Sequence, residues 1–300
     1  MTLPAPNPLC SKLHRQSCRR TLLARLYALG SSNLPVSILG ASLCGLAFLG
    51  ISSSATAAQP PPAASTAATA TPNATLPVTN GKTFTPHTAR YAVRYRGIDA
   101  GTSEIRLESL AGEGEPRYRF TNRSTPQGLA ALFLPGVIAQ RTTFSIAGDG
   151  LRPHEYSLDD GGKSTARDVR LTFDWARNRV TGVAENQSVD LPLVPGMQDA
   201  LTVGLQVRWL LQQGRAPQRL VMVEKATAKD YDYAFEGRER LQTALGPVDA
   251  LVWSSRRPGS NRVTRTWYAP AFGYVAVKAE QVAGNKPLMS FSVLSWQLLP

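Results

Sequence analysis

Cysteine and histidine are scarce in this chain, and their scarcity excludes several kinds of chemistry. The three cysteines, Cys10, Cys18 and Cys44, all lie before residue 50, and only two histidines, His87 and His154, follow them. The chain after residue 50 therefore cannot form a disulfide of its own, a thiolate metal site or a cysteine nucleophile. Neither histidine has a second ligand at metal-binding spacing, so the sequence predicts no metal and no cofactor.

Familiar catalytic motifs are absent as well. The chain has no G-x-S-x-G nucleophile elbow, no H-E-x-x-H, no P-loop and no G-x-G-x-x-G. Asp159 and Asp160 are adjacent carboxylates, but the two glycines that follow them are typical of a tight turn rather than of a glycosidase pair. We therefore expect that the protein is not an enzyme, and we assign no catalytic residue.

The amino-terminal region has the order of parts found in a secretion signal. A basic stretch precedes an uncharged apolar run at residues 34–50, and small residues follow it. An uncleaved membrane anchor is the alternative, because a run of this length is at the lower limit for crossing a bilayer. Pro35 and the small-x-small triplet at residues 55–57 favour cleavage. We interpret residues 1–57 as a signal peptide that directs the protein to the periplasm.

Two further segments follow the predicted signal peptide. Residues 58–86 are rich in Ala, Thr and Pro, so we expect a disordered linker, and residues 87–300 have the composition of a single β-rich domain. Without residues 1–57 the formal charge is +7, because five of the 33 basic residues and none of the 21 acidic residues lie there. A basic surface suits anionic partners such as lipid head groups, although interspersed charges also simply solvate a surface.

The pattern after residue 88 is that of β-strands: short alternating segments separated by Gly, Pro and Asp turn signals. Only residues 199–213 keep helical spacing, with Asp199 as a cap, Gly214 as a stop and apolar side chains on more than one side. Such a helix must pack against other elements on several sides to bury its apolar surface. The sequence therefore predicts a mainly β fold, a strongly curved antiparallel sheet or open barrel with one amphipathic helix packed on its concave side.

Three apolar segments are candidates for ligand contact. Residues 126–136 are apolar where a loop should be polar, which predicts a short buried helix or, alternatively, an apolar flap over a cavity. The predicted helix carries an apolar stripe, and one later strand has aromatic side chains on a single face. Core packing is the simpler explanation of such stripes. The candidate ligand-binding residues are Leu129, Leu132, Phe133, Leu205, Trp209, Tyr231, Tyr233 and Phe235.

Several short motifs occur in a characteristic order from Tyr91 onwards. They are Tyr91-x-Val-x-Tyr-x-Gly97, Gly101, Gly150-Leu-x-Pro-x-x-Tyr156, Phe173-Asp174-Trp175, Asp199-Ala-Leu201, Trp267-Tyr-Ala-Pro270 and Val277-Lys278. This order resembles the bacterial family called domain of unknown function 3108. The resemblance implies an exported, β-rich protein with no established activity. Ala276 departs from the family's pattern, which often has proline at that position.

These observations favour a cell-envelope protein, a non-enzymatic carrier or binding module for an apolar or amphiphilic ligand such as a lipid. One alternative is a structural or adaptor protein that docks another envelope protein through a sheet edge, and another is an enzyme acting on glycan or lipid. We expect no nucleic-acid partner and no integral membrane span after processing. An apolar cavity would favour the carrier, a filled interior the adaptor, and a cleft with convergent carboxylates the enzyme.

We expect the mature protein to begin at Ala58 or Gln59, because the apolar run precedes a small-x-small site. Amino-terminal sequencing of the protein from its own cell envelope checks this prediction. Recovery of an uncleaved, membrane-integrated chain would contradict it.

Overall fold

The computed structural model describes residues 83–112, 115–134, 136–148 and 150–300. The predicted signal peptide at residues 1–57 and nearly all of the predicted linker lie outside the described residues, so both stay predictions. None of the helices within these ranges has the length and apolarity that a membrane crossing requires.

One antiparallel sheet contains all fourteen strands of the described residues. The strands are β1 (His87–Tyr95), β2 (Ile98–Leu110), β3 (Arg117–Pro126), β4 (Ile138–Ala147), β5 (Gly150–Asp159), β6 (Val169–Asp174), β7 (Arg179–Ala184), β8 (Gln187–Pro192), β9 (Arg219–Glu224), β10 (Thr227–Thr243), β11 (Gly246–Arg256), β12 (Arg262–Ala269), β13 (Val275–Ala283) and β14 (Lys286–Leu298). The order across the sheet runs from β8 back to β1, then from β14 back to β9. Two meanders are therefore joined by the β1–β14 pair at the centre.

Alternation and turn chemistry explain these strands. In β1 the buried side chains of His87, Ala89, Tyr91 and Val93 occupy every second position, as a strand with one covered face requires. The two residues between β1 and β2, Arg96 and Gly97, have φ values of 51° and 83°. Positive φ at both central residues is the geometry of a tight two-residue hairpin turn.

The sheet curls until its two edges approach each other without closing. Gln198, beyond β8, forms a parallel bridge with Met222 of edge strand β9. Lys225 in the β9–β10 turn makes a 2.8 Å salt bridge to Glu185 in the β7–β8 turn. Strands β8 and β9 stand at opposite ends of the sheet order and do not pair with each other. The predicted curved, open antiparallel architecture is confirmed.

A single α-helix in the described residues, α1 (Thr202–Gln212), lies on the concave side. Its side chains reach strands that are far apart in the sheet: Gln206 accepts a hydrogen bond from the Leu151 amide of β5, and Gln212 donates to the Gly273 carbonyl between β12 and β13. Only a curled sheet brings these strands around one helix. Every residue of α1 except Gly204 is buried, as expected of a helix covered on several sides.

Asp199 and Gly214 delimit the helix as predicted. Asp199 Oδ1 accepts hydrogen bonds from the Leu201 and Thr202 amides at 2.7 and 2.8 Å. Its Oδ2 accepts a 2.7 Å hydrogen bond from Thr142 Oγ1 of β4, which attaches the start of the helix to the sheet. Gly214 adopts a left-handed φ of 67°, a conformation that ends a helix without a side-chain penalty.

A short helix forms within residues 126–136, but the prediction that it is buried is wrong. A 3-10 helix forms at Gly128–Leu132, but it contains no buried residue. Leu129, Leu132 and Phe133 are 61%, 76% and 67% exposed. The segment leaves the sheet after the last β2–β3 pair, Gly101 with Pro126, and its three large side chains face away from the core.

Two leucines offer a matched test of this packing. We expect Leu211→Ala, at a fully buried helix position, to lower the free energy of unfolding by about 2–5 kcal/mol, because it leaves a cavity between helix and sheet. Leu132→Ala, at an exposed position, should change it by less than about 0.5 kcal/mol. Chemical denaturation measures both values, and equal losses would contradict the burial pattern.

Burial raises the pKa of Asp199 to about 6, because desolvation of the carboxylate outweighs its hydrogen bonds. The folded state therefore holds its proton more tightly than the unfolded state, whose pKa is about 3.9. Stability from this group is fully present below about pH 4 and is lost as pH rises through about 6, by on the order of 3 kcal/mol.

We expect Asp199→Asn, which keeps an oxygen acceptor for the helix amides, to remove this pH dependence. The measurement is the free energy of unfolding of both proteins between pH 4 and pH 7. Parallel profiles for the two proteins would show that Asp199 does not retain its proton in the folded state.

Candidate functional site

An inner cavity lies between α1 and the centre of the sheet. Its volume is about 50 Å³, and its walls come from α1, from β1 to β3, from β14 and from the residues around the β12–β13 turn. Leu205, Ile105 and Phe291 supply apolar surface, while Arg208 and His87 bring polar groups to it. A space of this size accommodates a few water-sized groups and not a lipid chain.

Arg208 and His87 form a buried polar pair beside this cavity. Arg208 donates from Nε to the Gly273 carbonyl at 2.7 Å and from Nη1 to His87 Nε2 at 3.2 Å. The guanidinium also lies 5.2 Å from the centroid of the Phe84 ring. Burial lowers the pKa of His87 to about 3 and the pKa of Arg208 to about 10. At neutral pH the histidine is therefore neutral and the arginine is charged.

A line of buried polar side chains crosses four strands next to the cavity. Ser124 donates to Ser103 at 3.2 Å, and Ser103 donates to Asn122 Oδ1 at 2.6 Å. Asn122 Nδ2 lies 3.4 Å from Gln140 Oε1, and Gln140 Nε2 donates to the Tyr156 hydroxyl at 3.0 Å. Because each side chain has a partner, the concave face can be polar without large desolvation cost.

A larger opening, which we call the arginine groove, lies where the carboxyl end of α1 meets the β4–β5 and β6–β7 connections. Its volume is about 690 Å³. The groove is defined by Arg152, Arg215, Arg219, Trp175, Leu193, Leu210 and Leu220. No Asp or Glu is among the described residues that line it.

Aromatic rings orient two of the groove arginines. The Arg152 guanidinium lies 5.6 Å from the centroid of the Trp175 ring, and that of Arg215 lies 5.9 Å from the Trp209 ring. Arg219 pairs with Asp230 at 2.7 Å, in an exposed ion pair. Stacking on a ring favours a defined orientation of the guanidinium plane.

A third opening, of about 520 Å³, lies over β4 to β7 and carries both signs of charge, including Glu155 and Arg170. Nearby, the carboxylates of Asp159, Asp160 and Asp168 approach within 4.8 Å of one another. Asp159 and Asp160 accept hydrogen bonds at 2.8 and 2.9 Å from amides within their own turn. These bonds agree with the turn interpretation of the sequence.

The sequence-predicted ligand residues do not form one site. Leu205 lines the inner cavity, and Trp209 supports Arg215 at the border of the arginine groove. Connections alternate between the two ends of an antiparallel meander, so the exposed 3-10 helix with Leu129, Leu132 and Phe133 lies at the end opposite to the groove.

The aromatic residues of β10 lie elsewhere. Tyr231 is buried and its hydroxyl donates to Glu224 at 3.1 Å, Tyr233 is half-buried, and Phe235 is 38% exposed and packs against Trp253. From Tyr231 to Phe235 the aromatic side chains become more exposed. Pairing of β10 with β9 stops at the Asp232–Arg219 pair, and β10 continues beyond it.

The charged residues of both cavities are not among the residues predicted from the sequence. Arg208 is the one charged residue of the helix at 202–212 and stands between Val207 and Trp209, and that contrast was a usable signal. Ser103, Asn122 and Gln140 are polar residues at inward-facing positions of β2, β3 and β4, and their polarity at such positions was a second usable signal. The three groove arginines come from separate segments, and no sequence pattern connects them.

Comparison with known families assigns the chain to a family without a known activity. Residues 90–285 match the family model described as "Protein of unknown function (DUF3108)". No curated protein matches the chain. Among solved structures, a beta-barrel-like protein of domain of unknown function DUF1849 from Brucella abortus has 11% identity and a TM-score of 0.44, over 72% of this chain and 99% of that one.

Two further structures resemble this chain. One, provisionally assigned as a lipoprotein, is from Parabacteroides distasonis; it has 11% identity and a TM-score of 0.34, over 71% of this chain and 96% of its own. The other, provisionally assigned as an exported protein with a YmcC-like fold, is from Bacteroides fragilis; it has 10% identity and a TM-score of 0.35, over 70% of this chain and 95% of its own.

Proposed function

The chain belongs to the DUF3108 family, and we propose that it is an exported, non-enzymatic binding module for an anionic amphiphile whose head group lies in the arginine groove. The observation that carries this proposal is the lining of the groove, which combines three arginines with apolar side chains and includes no carboxylate among the described residues. The expected location is the periplasm, because residues 1–57 have the pattern of a secretion signal.

Size excludes the inner cavity and mixed charge disfavours the third opening, which leaves the groove as the site for an anionic ligand. Ligand pockets for small organic molecules usually have volumes of about 300–1,000 Å³. The arginine groove, at about 690 Å³, is within that range, whereas the inner cavity, at about 50 Å³, is far below it. An amphiphile would therefore lie at the end of the sheet, against α1, instead of inside the curl.

The charges of the groove select an anionic head group. Guanidinium groups bind carboxylates and phosphates through paired hydrogen bonds, and such charge-assisted bonds are about twice as strong as neutral ones. Arg152 and Arg215 are both solvent-exposed, so a ligand can reach them. Leu193, Leu210 and Leu220 border the same groove and offer contact to the apolar part of the ligand.

The chemistry of the lining supports binding without catalysis. Arginine stays protonated near neutral pH, so it stabilises negative charge but does not serve as a general acid or base. The other described side chains of the groove are apolar or amides, such as Asn178, Gln206 and Gln218. None of these side chains transfers a proton readily near neutral pH.

Binding of two single-chain lipids that differ in head-group charge tests the proposal. We expect the mature protein to bind lysophosphatidylglycerol monomers more tightly than lysophosphatidylcholine monomers, with an affinity that falls as salt is added. Arg152→Gln and Arg215→Gln should each weaken binding of the anionic lipid by about 10-fold or more, because each removes a charge-assisted hydrogen bond. Isothermal titration calorimetry measures these affinities.

Arg123→Gln is the matched control, since Arg123 is an exposed arginine on β3 that does not line the groove. It should leave the affinity unchanged. Equal affinities for the two lipids, or equal losses in all three variants, would rule out the arginine groove as the head-group site.

A further inference from the structure

Arg208 is a buried cation whose hydrogen-bond partners are neutral. It lies in the middle of α1 with 5% of its surface exposed. Its guanidinium donates to the Gly273 carbonyl and to His87 Nε2. His87 Nδ1 donates to the Thr85 carbonyl at 2.8 Å, which leaves Nε2 as the acceptor for Arg208. Neither partner carries the negative charge that a buried guanidinium normally has beside it.

No carboxylate of the described residues forms an ion pair with Arg208. Asp199, the other ionisable group associated with the helix, precedes its first turn and is held by Thr142 and the helix amides. A buried charge without a counter-charge is unfavourable, because the protein interior solvates it poorly. An anion beside Arg208 would offset that penalty.

The inner cavity lies beside this guanidinium and suits such an anion in size and charge. Its volume of about 50 Å³ exceeds the roughly 10–15 Å³ needed for one water-sized group. The phenols of Tyr91 and Tyr274 are part of its lining, and burial raises the pKa of both, so neither contributes negative charge at neutral pH. Gly204 also lines the cavity, and its lack of a side chain leaves space on the helix side.

We propose that the inner cavity is a binding site for one small monoanion, the size of chloride or a carboxylate group, held against Arg208 beneath α1. The anion compensates the buried guanidinium at the place where the helix joins β1 and the β12–β13 turn. Its binding therefore stabilises the fold. This site is separate from the arginine groove and does not depend on the function proposed for it.

Thermal unfolding with exchanged anions tests this site. At fixed pH and ionic strength, replacement of sodium gluconate by sodium chloride or sodium formate should raise the unfolding midpoint by several degrees, and the rise should saturate with anion concentration. Gluconate is too large for the cavity and serves as the reference anion. A rise with formate alone identifies a carboxylate site, and a rise with both anions a general monoanion site.

Two arginine variants assign the effect to the cavity. Arg208→Met keeps an unbranched side chain without the charge and should abolish the chloride and formate shifts. Arg123→Met removes an exposed arginine of β3 and should retain them. Equal midpoints of the unaltered protein in chloride, formate and gluconate would overturn the proposal, as would loss of the shift in both variants.

A crystal of the unaltered protein soaked in bromide keeps the proposal testable if Arg208→Met does not fold. An anomalous peak within about 4 Å of the Arg208 guanidinium is the expected result, since that is ion-pair distance. Its absence at a bromide concentration that raises the unfolding midpoint would overturn the proposal. Lysolipid affinity should not change with the anion in the cavity, so failure of this site and failure of the arginine groove are distinguishable.

Discussion

The packing of one buried helix inside an open, curled sheet is the constraint on which the rest of this structure depends. The sheet edges β8 and β9 do not pair, so hydrogen bonding between strands does not close the structure. Instead α1 lies on the concave side, and distant strands are connected to it through Gln206, Gln212 and the capping residue Asp199. A helix in this position occupies most of the concave side, and a small cavity lies beneath it.

The polar character of the concave face follows from the same arrangement. Side chains that point inward across β2 to β5 include Ser103, Asn122 and Gln140, and they satisfy one another's hydrogen bonds. The helix turns polar groups of its own towards the sheet, among them Arg208 and Gln212. Apolar contacts and satisfied polar contacts are therefore interleaved, and the interior holds a charge that an ordinary hydrophobic core would exclude.

Two places with different chemistry result, and α1 contributes to both. Beneath the helix the guanidinium of Arg208 is buried beside a cavity of about 50 Å³, a setting for a small anion that acts on stability. At its carboxyl end the helix borders a groove of about 690 Å³, where accessible arginines and apolar side chains suit a larger anionic ligand. The inner cavity and the arginine groove both carry positive charge, in agreement with the basic composition of the chain.

Local sequence determined the parts of this protein that depend on near neighbours. Alternation in the strands, the turn at Gly97, the Asp199 cap and the stop at Gly214 all act within a few residues, so the curved β fold with one helix was predictable. Tertiary structure alone decided which residues meet across long separations. It exposed Leu132, buried Arg208, and brought Arg152, Arg215 and Arg219 to one groove. The curling of the sheet sets the distances between these segments, and no local sequence pattern encodes that curling.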